Sequence, residues 1–141
     1  MPIIHFHIAG GHATEAQEER LLVGASQLYA EILQSPIERV RAFLHVYPPA
    51  RCAAGGMLIN RSSRQAPYFE FSVLDGRPLD QRQRLLRAFT DLIVDILGVD
   101  RALVRGQCKR VAAEDWSIGG ELASEKRAVE IKKFAETSRD P

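Results

Sequence analysis

PIIHFHI, residues 2–8, is the stretch that decides the fold of this chain, because a related stretch, PYFEFSV, returns at residues 67–73. Apolar side chains recur in both at a period of two, which predicts a β-strand with one buried face. In the first stretch Ile4, Phe6 and Ile8 share that face. The opposite face carries histidines and needs cover, which oligomerisation would supply.

A helix is expected after each of these strands. Thr14 is a suitable N-cap for the first helix, and Gln17 completes a capping box. Apolar residues then recur at helical spacing over residues 21–33, and again over residues 85–97 in the second half of the chain. Gly98 is the expected C-cap of the second helix.

The two halves form an internal repeat that can be measured by offset. Pro2 corresponds to Pro67 (67 − 2 = 65), and Arg41 corresponds to Arg105 (105 − 41 = 64). Strands that are separated by a helix favour parallel pairing through right-handed crossovers. The sequence therefore predicts an α/β (α+β) fold, in which two fused β-α-β units form a four-stranded sheet with two helices on one face, related by a pseudo-twofold axis.

The length of 141 residues predicts one domain, residues 1–141. Its last residues are charged, and Ala128, Ile131 and Phe134 have the spacing of an amphipathic helix. Either a solvated end or docking on a neighbouring subunit would fit them. The expected parts are a first unit (2–56), a linker (57–66), a second unit (67–124) and a charged C-terminal tail (125–141).

Composition excludes several classes of partner. The formal net charge is +1, so neither nucleic acid nor a membrane surface is expected to bind through charge. Apolar runs are too short for a bilayer, and no signal peptide is expected at the start. The two cysteines, Cys52 and Cys108, do not form a disulfide framework, so a reducing, cytoplasmic location is expected. His5 and His7 have no further ligand at metal-binding spacing, which argues against a metal site.

Pro2 is the first candidate for catalysis. Removal of Met1, which is expected before a small residue, would leave a free secondary amine at Pro2. An α-amine has a pKa of roughly 7.7–8.0, and burial or nearby cations lower it toward the value that suits a general base. The alternative is that Pro2 simply begins an edge strand.

Several motifs resemble those of one enzyme family. Residues 118–124, IGGELAS, closely resemble the carboxyl-terminal motif of 4-oxalocrotonate tautomerase, and Arg77 lies ten residues after Pro67, as in that family. The opening Pro-Ile-Ile resembles the family's amino terminus. The chain is thus identified as a member of the tautomerase superfamily, in its fused, double-length form. Residues 115–119 are also similar to malonate semialdehyde decarboxylase.

The resemblance implies a homotrimer of fused chains that acts on a small carboxylate without a metal or other cofactor. It implies that Pro2 is the catalytic amine and that Arg77 binds the substrate carboxylate. Arg41 and Arg105 both match the second-strand arginine, which binds a carboxylate or carbonyl oxygen. Trp116 matches the aromatic residue that lines the pocket. Without the resemblance, surface ion pairs would be the plainer interpretation of the strand arginines and of Arg39.

The chain also departs from the family pattern. The nitrogen of Pro67 is an amide and cannot be a base, so only the first proline can act in this way. His12 and Cys52 stand where the family has an arginine and an aromatic residue. The site must then combine Pro2 with Arg77 and the aromatic residue of the second unit.

Three functions stay open from the sequence. The leading hypothesis is an enol–keto tautomerase of a small 2-hydroxydienoate or a phenylpyruvate-like 2-oxo acid. Ile118 stands where family dehalogenases place an acid, which argues against hydration, whereas Glu38 lies close to an acid of the decarboxylase. A decarboxylase of a β-keto acid such as malonate semialdehyde is therefore the alternative enzyme. The altered residues at positions 12 and 52 would suit a non-catalytic oligomeric binding protein.

Overall fold

The computed structural model describes residues 2–137, so Met1 and the last four residues of the expected tail lie outside the described residues. The first unit contains β1 (Ile3–Ala9), α1 (Glu15–Leu33), β2 (Arg41–Tyr47), β3 (Ala53–Ala54), β4 (Met57–Leu58) and α2 (Ile59–Ser62). The second contains β5 (Tyr68–Leu74), α3 (Leu79–Leu97), β6 (Arg105–Val111), β7 (Ser117–Ile118), β8 (Glu121–Leu122) and α4 (Ala123–Lys126). A further helix, α5 (Ala128–Thr137), follows.

Each repeated unit is longer than the sequence predicted: the first extends past residue 56 and the second past residue 124. β5 begins 65 residues after β1 (68 − 3), whereas α3 begins 64 residues after α1 (79 − 15), so the missing residue falls between strand and helix. The same offset relates α4 to α2 (123 − 59 = 64). Residues 57–62, expected as the start of a linker, therefore form β4 and α2 and repeat in the second unit as β8 and α4.

The main sheet has four strands in the order β2-β1-β5-β6. β1 pairs with β2 and β5 with β6 in parallel, while β1 and β5 are antiparallel with Phe6 opposite Phe69. This arrangement confirms the predicted four-stranded α+β fold, with the pseudo-twofold axis between the central strands. Because those strands run in opposite directions, the start of β1 lies beside the end of β5.

The core lies between this sheet and the two long helices. Phe89 of α3 contacts four other aromatic rings edge-on or tilted, with centroids 5.2–6.4 Å away. All five rings are at most 1% exposed. Such edge-to-face packing adds stabilisation to the burial of large apolar surfaces. The rings of this cluster belong to Phe6, Tyr29, Phe69, Phe71 and Phe89.

The helix ends confirm the capping predictions. The backbone N–H of Gln17 donates to Thr14 Oγ1 at 3.1 Å, and the Gln17 side chain accepts from the Thr14 N–H at 2.9 Å. Gly98 has a φ of 65° and its N–H donates to the carbonyl of Val94, as a left-handed C-cap requires. Local sequence signals therefore set where α1 begins and where α3 ends.

The other face of the sheet carries a ladder of stacked rings. His5 Nδ1 lies 2.8 Å from His45 Nε2, and His7 Nδ1 lies 2.7 Å from the Tyr47 hydroxyl. The rings of His7 and His45 stack with centroids 4.5 Å apart. Phe43 beside them is 47% exposed, so this ring-bearing face is only partly covered in the single chain.

Within residues 2–137 no group of three or more His, Cys, Asp or Glu side chains has the geometry to hold a metal ion. Over the same residues, none of the helices combines the length and the apolar character that a membrane span requires.

Candidate active site

Pro2 lies fully buried at the start of β1. Its carbonyl accepts a hydrogen bond of 2.9 Å from the backbone N–H of Arg41, where β2 begins. On the other side, Ile3 pairs with Ser72 near the end of β5. The proline is therefore held between the first residues of one neighbouring strand and the last residues of the other.

Arg77 reaches the same place from the second unit. It follows the turn at Gly76, where a φ of 98° favours glycine, and its side chain lines a cleft with Pro2. Its Nη1 donates to the carbonyl of Leu33 at 2.9 Å. Burial lowers the pKa of this guanidinium, although an arginine stays charged in proteins. The expected combination of Pro2 with an arginine of the other unit is thus present within one chain.

Arg39 is a second cation in this cleft. It ends the short 3₁₀ turn Ile37–Arg39 after α1, and its side chain is 27% exposed. Its Nη1 donates to both carboxylate oxygens of Glu130, at 3.0 and 3.1 Å. No sequence signal predicted this arginine beside Pro2, because its position depends on how the turn after α1 meets β1.

Arg41 and Trp116 line an adjoining groove of about 310 Å³, and Arg39 borders both the groove and the cleft. The Arg41 side chain donates to the carbonyls of Glu38 and Val40 at 2.8 and 3.2 Å. The groove therefore places two of the expected substrate-binding residues at the end of the sheet where Pro2 lies.

Arg105 lies at the opposite end of the sheet. Its backbone N–H donates to the carbonyl of Pro67 at 3.1 Å, as Arg41 does to Pro2. Because Tyr68 pairs with His7 near the end of β1, Pro67 and Arg105 are distant from Pro2 along the strands. The other predicted site residues all lie at the Pro2 end of the sheet, Arg77 in the cleft and Arg41 and Trp116 in the adjoining groove. His12, which is exposed, follows β1 at the far end, with Arg105.

Two side chains of α5 complete the cleft, and sequence reasoning did not assign them to it. Glu130 pairs with Arg39, and the ring of Phe134 lies over Arg77 with its centroid 4.1 Å from Cζ. The helical spacing that ends at Phe134 was a usable signal, because it predicted an amphipathic helix. It could not show which surface that helix would cover.

Tyr29 lies behind the cleft and is fully buried. Its hydroxyl donates to the carbonyl of Ser72. Burial raises its pKa well above the ordinary value, so the phenol stays protonated and its proton is already engaged.

The cleft contains one buried proline, the two guanidinium groups of Arg39 and Arg77, and the aromatic ring of Phe134. If the proline nitrogen is a free amine, burial and the two cations favour its neutral, basic form, while the carboxylate of Glu130 in the same cleft opposes them.

Two comparisons of the sequence give tautomerase matches. The sequence model of the family described as "Tautomerase enzyme" matches residues 67–126. A curated relative, "Probable tautomerase K2" of Dickeya dadantii (strain 3937), is 36% identical over 53 residues, which cover 38% of this chain and 79% of the relative.

Solved structures match the fold along most of the chain. One is described as fused 4-OT F6, wild type, an asymmetric trimer, and matches with a TM-score of 0.78 at 24% identity, covering 90% of this chain and 98% of the other. Another, Pt0534 inactivated by 2-oxo-3-pentynoate, matches with a TM-score of 0.80 at 18% identity, covering 89% and 98%.

Proposed function

Because the chain belongs to the tautomerase family, we propose that it is a cofactor-independent tautomerase that interconverts enol and keto forms of a small acid, with Pro2 as the general base. The substrate class is a 2-hydroxydienoate or a phenylpyruvate-like 2-oxo acid. The reaction moves one proton from the enol to carbon, so it needs a base that takes up a proton and returns it.

The observation that carries this proposal is the buried position of Pro2 in a cleft with Arg39 and Arg77. A guanidinium binds a carboxylate through paired hydrogen bonds, and it also stabilises the negative charge that develops on a dienolate. The same positive charges keep a neighbouring amine deprotonated near neutral pH. Substrate binding and activation of the base would then depend on the same two side chains.

Arg41 and Trp116 would extend the site on the side of the groove, one as a second anion-binding group and the other as an apolar wall. Arg105 would serve such a site only if another chain supplied it, because in its own chain it lies beside Pro67. A homotrimer of the kind described for fused 4-OT F6 would provide neighbouring chains and would also cover the exposed ring ladder.

Replacement of the two prolines tests the base directly. Pro2→Ala replaces the constrained secondary amine by a mobile primary amine and should lower kcat/KM for phenylenolpyruvate by about 10²-fold, the size of a general-base contribution that depends on a fixed position. Pro67→Ala is the matched control, since Pro67 occupies the equivalent buried position with an amide nitrogen. Equal losses in the two variants would contradict a single proline base.

Chemical labelling provides a second test. An intact mass without Met1 is required for a free Pro2 amine. The compound 2-oxo-3-pentynoate, which inactivates the structural relative Pt0534, should then add once per chain, on the peptide that begins with Pro2. A chain that keeps Met1 and is not labelled by this compound would favour the non-catalytic binding protein over the tautomerase.

A decarboxylase of a β-keto acid is the second candidate, because Glu38 lines the groove that holds Arg41 and Trp116. In that reaction a protonated Pro2 would polarise the substrate carbonyl. The pH dependence of kcat/KM separates the two functions: activity that rises with pH through the Pro2 pKa requires a base, and activity that falls requires the protonated amine.

A further inference from the structure

The helix α5 lies across the opening of the Pro2 cleft. Beneath it the cavity beside Pro2 measures only about 20 Å³, enough for roughly one water molecule and too small for an organic acid. A larger cavity of about 430 Å³ adjoins it on the outside, bordered by the same Arg39, Arg77 and Phe134. A ligand in the outer cavity would therefore be separated from Pro2 by side chains of α5.

These side chains occupy the groups that a substrate would need. The Glu130 carboxylate takes two hydrogen bonds from Arg39, which is how a substrate carboxylate would be bound. The Phe134 ring lies on the guanidinium of Arg77 at 4.1 Å. The two residues are four apart on one helix face, so together they present an anion and an aromatic ring to the two cations of the cleft.

The attachment of α5 is weak compared with that of the other helices. None of its residues is buried, and Val129 is 84% exposed. The Arg39–Glu130 pair is partly exposed on both sides, a setting in which ion pairs contribute little to stability. Within residues 2–137, no side chain of α5 belongs to the hydrophobic core or packs against it, so the helix can leave the cleft without opening the core.

We propose that α5 is an intramolecular lid whose Glu130 and Phe134 compete with small carboxylates for Arg39 and Arg77, and so determine the affinity of the site. The proposal rests on the function proposed above for what it says about substrate, but the closure itself does not depend on turnover. A carboxylate that binds the cleft displaces Glu130, and an apolar body on that ligand replaces Phe134. The lid therefore raises KM for every substrate and raises it least for acids that carry an apolar group.

Full-length variants of the lid test this competition. Glu130→Gln and Phe134→Ala should each lower KM by about two- to fivefold with kcat unchanged, as expected from loss of one partly exposed ion pair or cation–π contact. The double variant should lower KM by about tenfold. Val129→Ala is the matched control on the solvent side of the same helix and should leave both constants unchanged. A fall in kcat, or an unchanged KM in the double variant, would overturn the lid.

Limited proteolysis gives a readout that is independent of catalysis. Trypsin cleaves after Lys132 or Lys133 only where the helix backbone unfolds, and α5 unfolds more easily once it has left the cleft, so the rate of this cleavage should rise with the open population. Glu130→Gln should accelerate this cleavage by about two- to fivefold. Malonate, used as a small dicarboxylate, should accelerate it in the unmodified protein and have much less effect in the double variant.

The two proposals fail in different ways. Cleavage that is the same in all variants and insensitive to malonate would overturn the lid, whatever the enzymatic activity. A protein that shows the expected cleavage pattern but no tautomerase activity would keep the lid and lose the proposed reaction.

Discussion

Gly106 of β6 is the position at which a single added methyl group should disturb the core most. An added Cβ would lie 2.6 Å from Cε2 of Phe69 and closer still to Cζ and Cε1. Phe69 pairs with Gly106 across the strands, is fully buried, and contacts Phe6, Phe71 and Phe89. Its ring therefore has no free space into which it can move.

The repeat supplies the explanation and the experiment. At the equivalent place in the first unit, Ile4 pairs with Ala42 (69 − 65 = 4; 106 − 64 = 42). In the second unit the larger Phe69 takes the place of Ile4, and its partner on the neighbouring strand is Gly106, which has no side chain. Alanine is ordinarily more favourable than glycine in a strand by about 0.5–1 kcal/mol, whereas forcing a methyl group into a packed core costs about 1–3 kcal/mol.

Gly106→Ala should therefore lower the free energy of unfolding by about 1–2 kcal/mol, measured by urea denaturation. Phe69→Ile together with Gly106→Ala recreates the pair of the first unit, so the double variant should be more stable than the sum of the two single changes by about 1 kcal/mol or more. Ala42→Gly is the control, with a loss of only about 0.5–1 kcal/mol. A Gly106→Ala protein as stable as the unmodified chain, or strictly additive effects, would refute this reasoning.

Three further predictions concern acid stability, substrate binding and helix capping. Burial and the nearby His45 lower the pKa of His5 and His7 below 6.5, so the unfolded chain takes up protons first as the pH falls. The free energy of unfolding, measured by urea denaturation, should therefore decrease below about pH 6.5 and level off below the folded-state pKa values. Replacement of both histidines by glutamine should reduce this decrease. An unchanged pH profile in that variant would show that His5 and His7 do not cause it. Arg77→Gln should lower kcat/KM for an enol acid by about tenfold or more, the loss expected if Arg77 makes the proposed charged hydrogen bond to the carboxylate. Arg105→Gln should match this loss only if a neighbouring chain supplies that residue. An Arg77→Gln variant with unchanged kcat/KM would show that Arg77 does not bind substrate. Thr14→Ala should cost about 1 kcal/mol in denaturant unfolding through loss of the capping box of α1, and a cost near zero would show that the tertiary contacts of α1 hold its first turn.

The lid formed by Glu130 and Phe134 affects how an activity assay of this chain has to be designed. A substrate has to displace both side chains before it reaches Pro2, because the remaining space holds about one water molecule. Weak activity with a small polar acid would therefore be an expected property of the closed cleft. Assays at several substrate concentrations, with Glu130→Gln beside the unmodified protein, separate weak binding from slow chemistry.

The amino-acid sequence by itself determined the architecture. Alternation at residues 3–8 and 68–73, the capping residues of the helices and the constant offset between the halves are local or repetitive signals, and the sheet order and helix ends follow them. The combination of Pro2 with Arg77 was also expected, but only because the motifs resemble the tautomerase superfamily; the antiparallel contact that places them side by side came from the structure.

Only the tertiary structure decided which charged groups surround Pro2. The position of Arg39 depends on the packing of a short 3₁₀ turn against the start of β1, and no spacing in the sequence encodes it. The contacts of Glu130 and Phe134 join residues about 90 and 57 positions apart (130 − 39 = 91; 134 − 77 = 57). An amphipathic pattern gives a helix its apolar face but says nothing about the surface that this face covers, because that choice depends on long-range contacts.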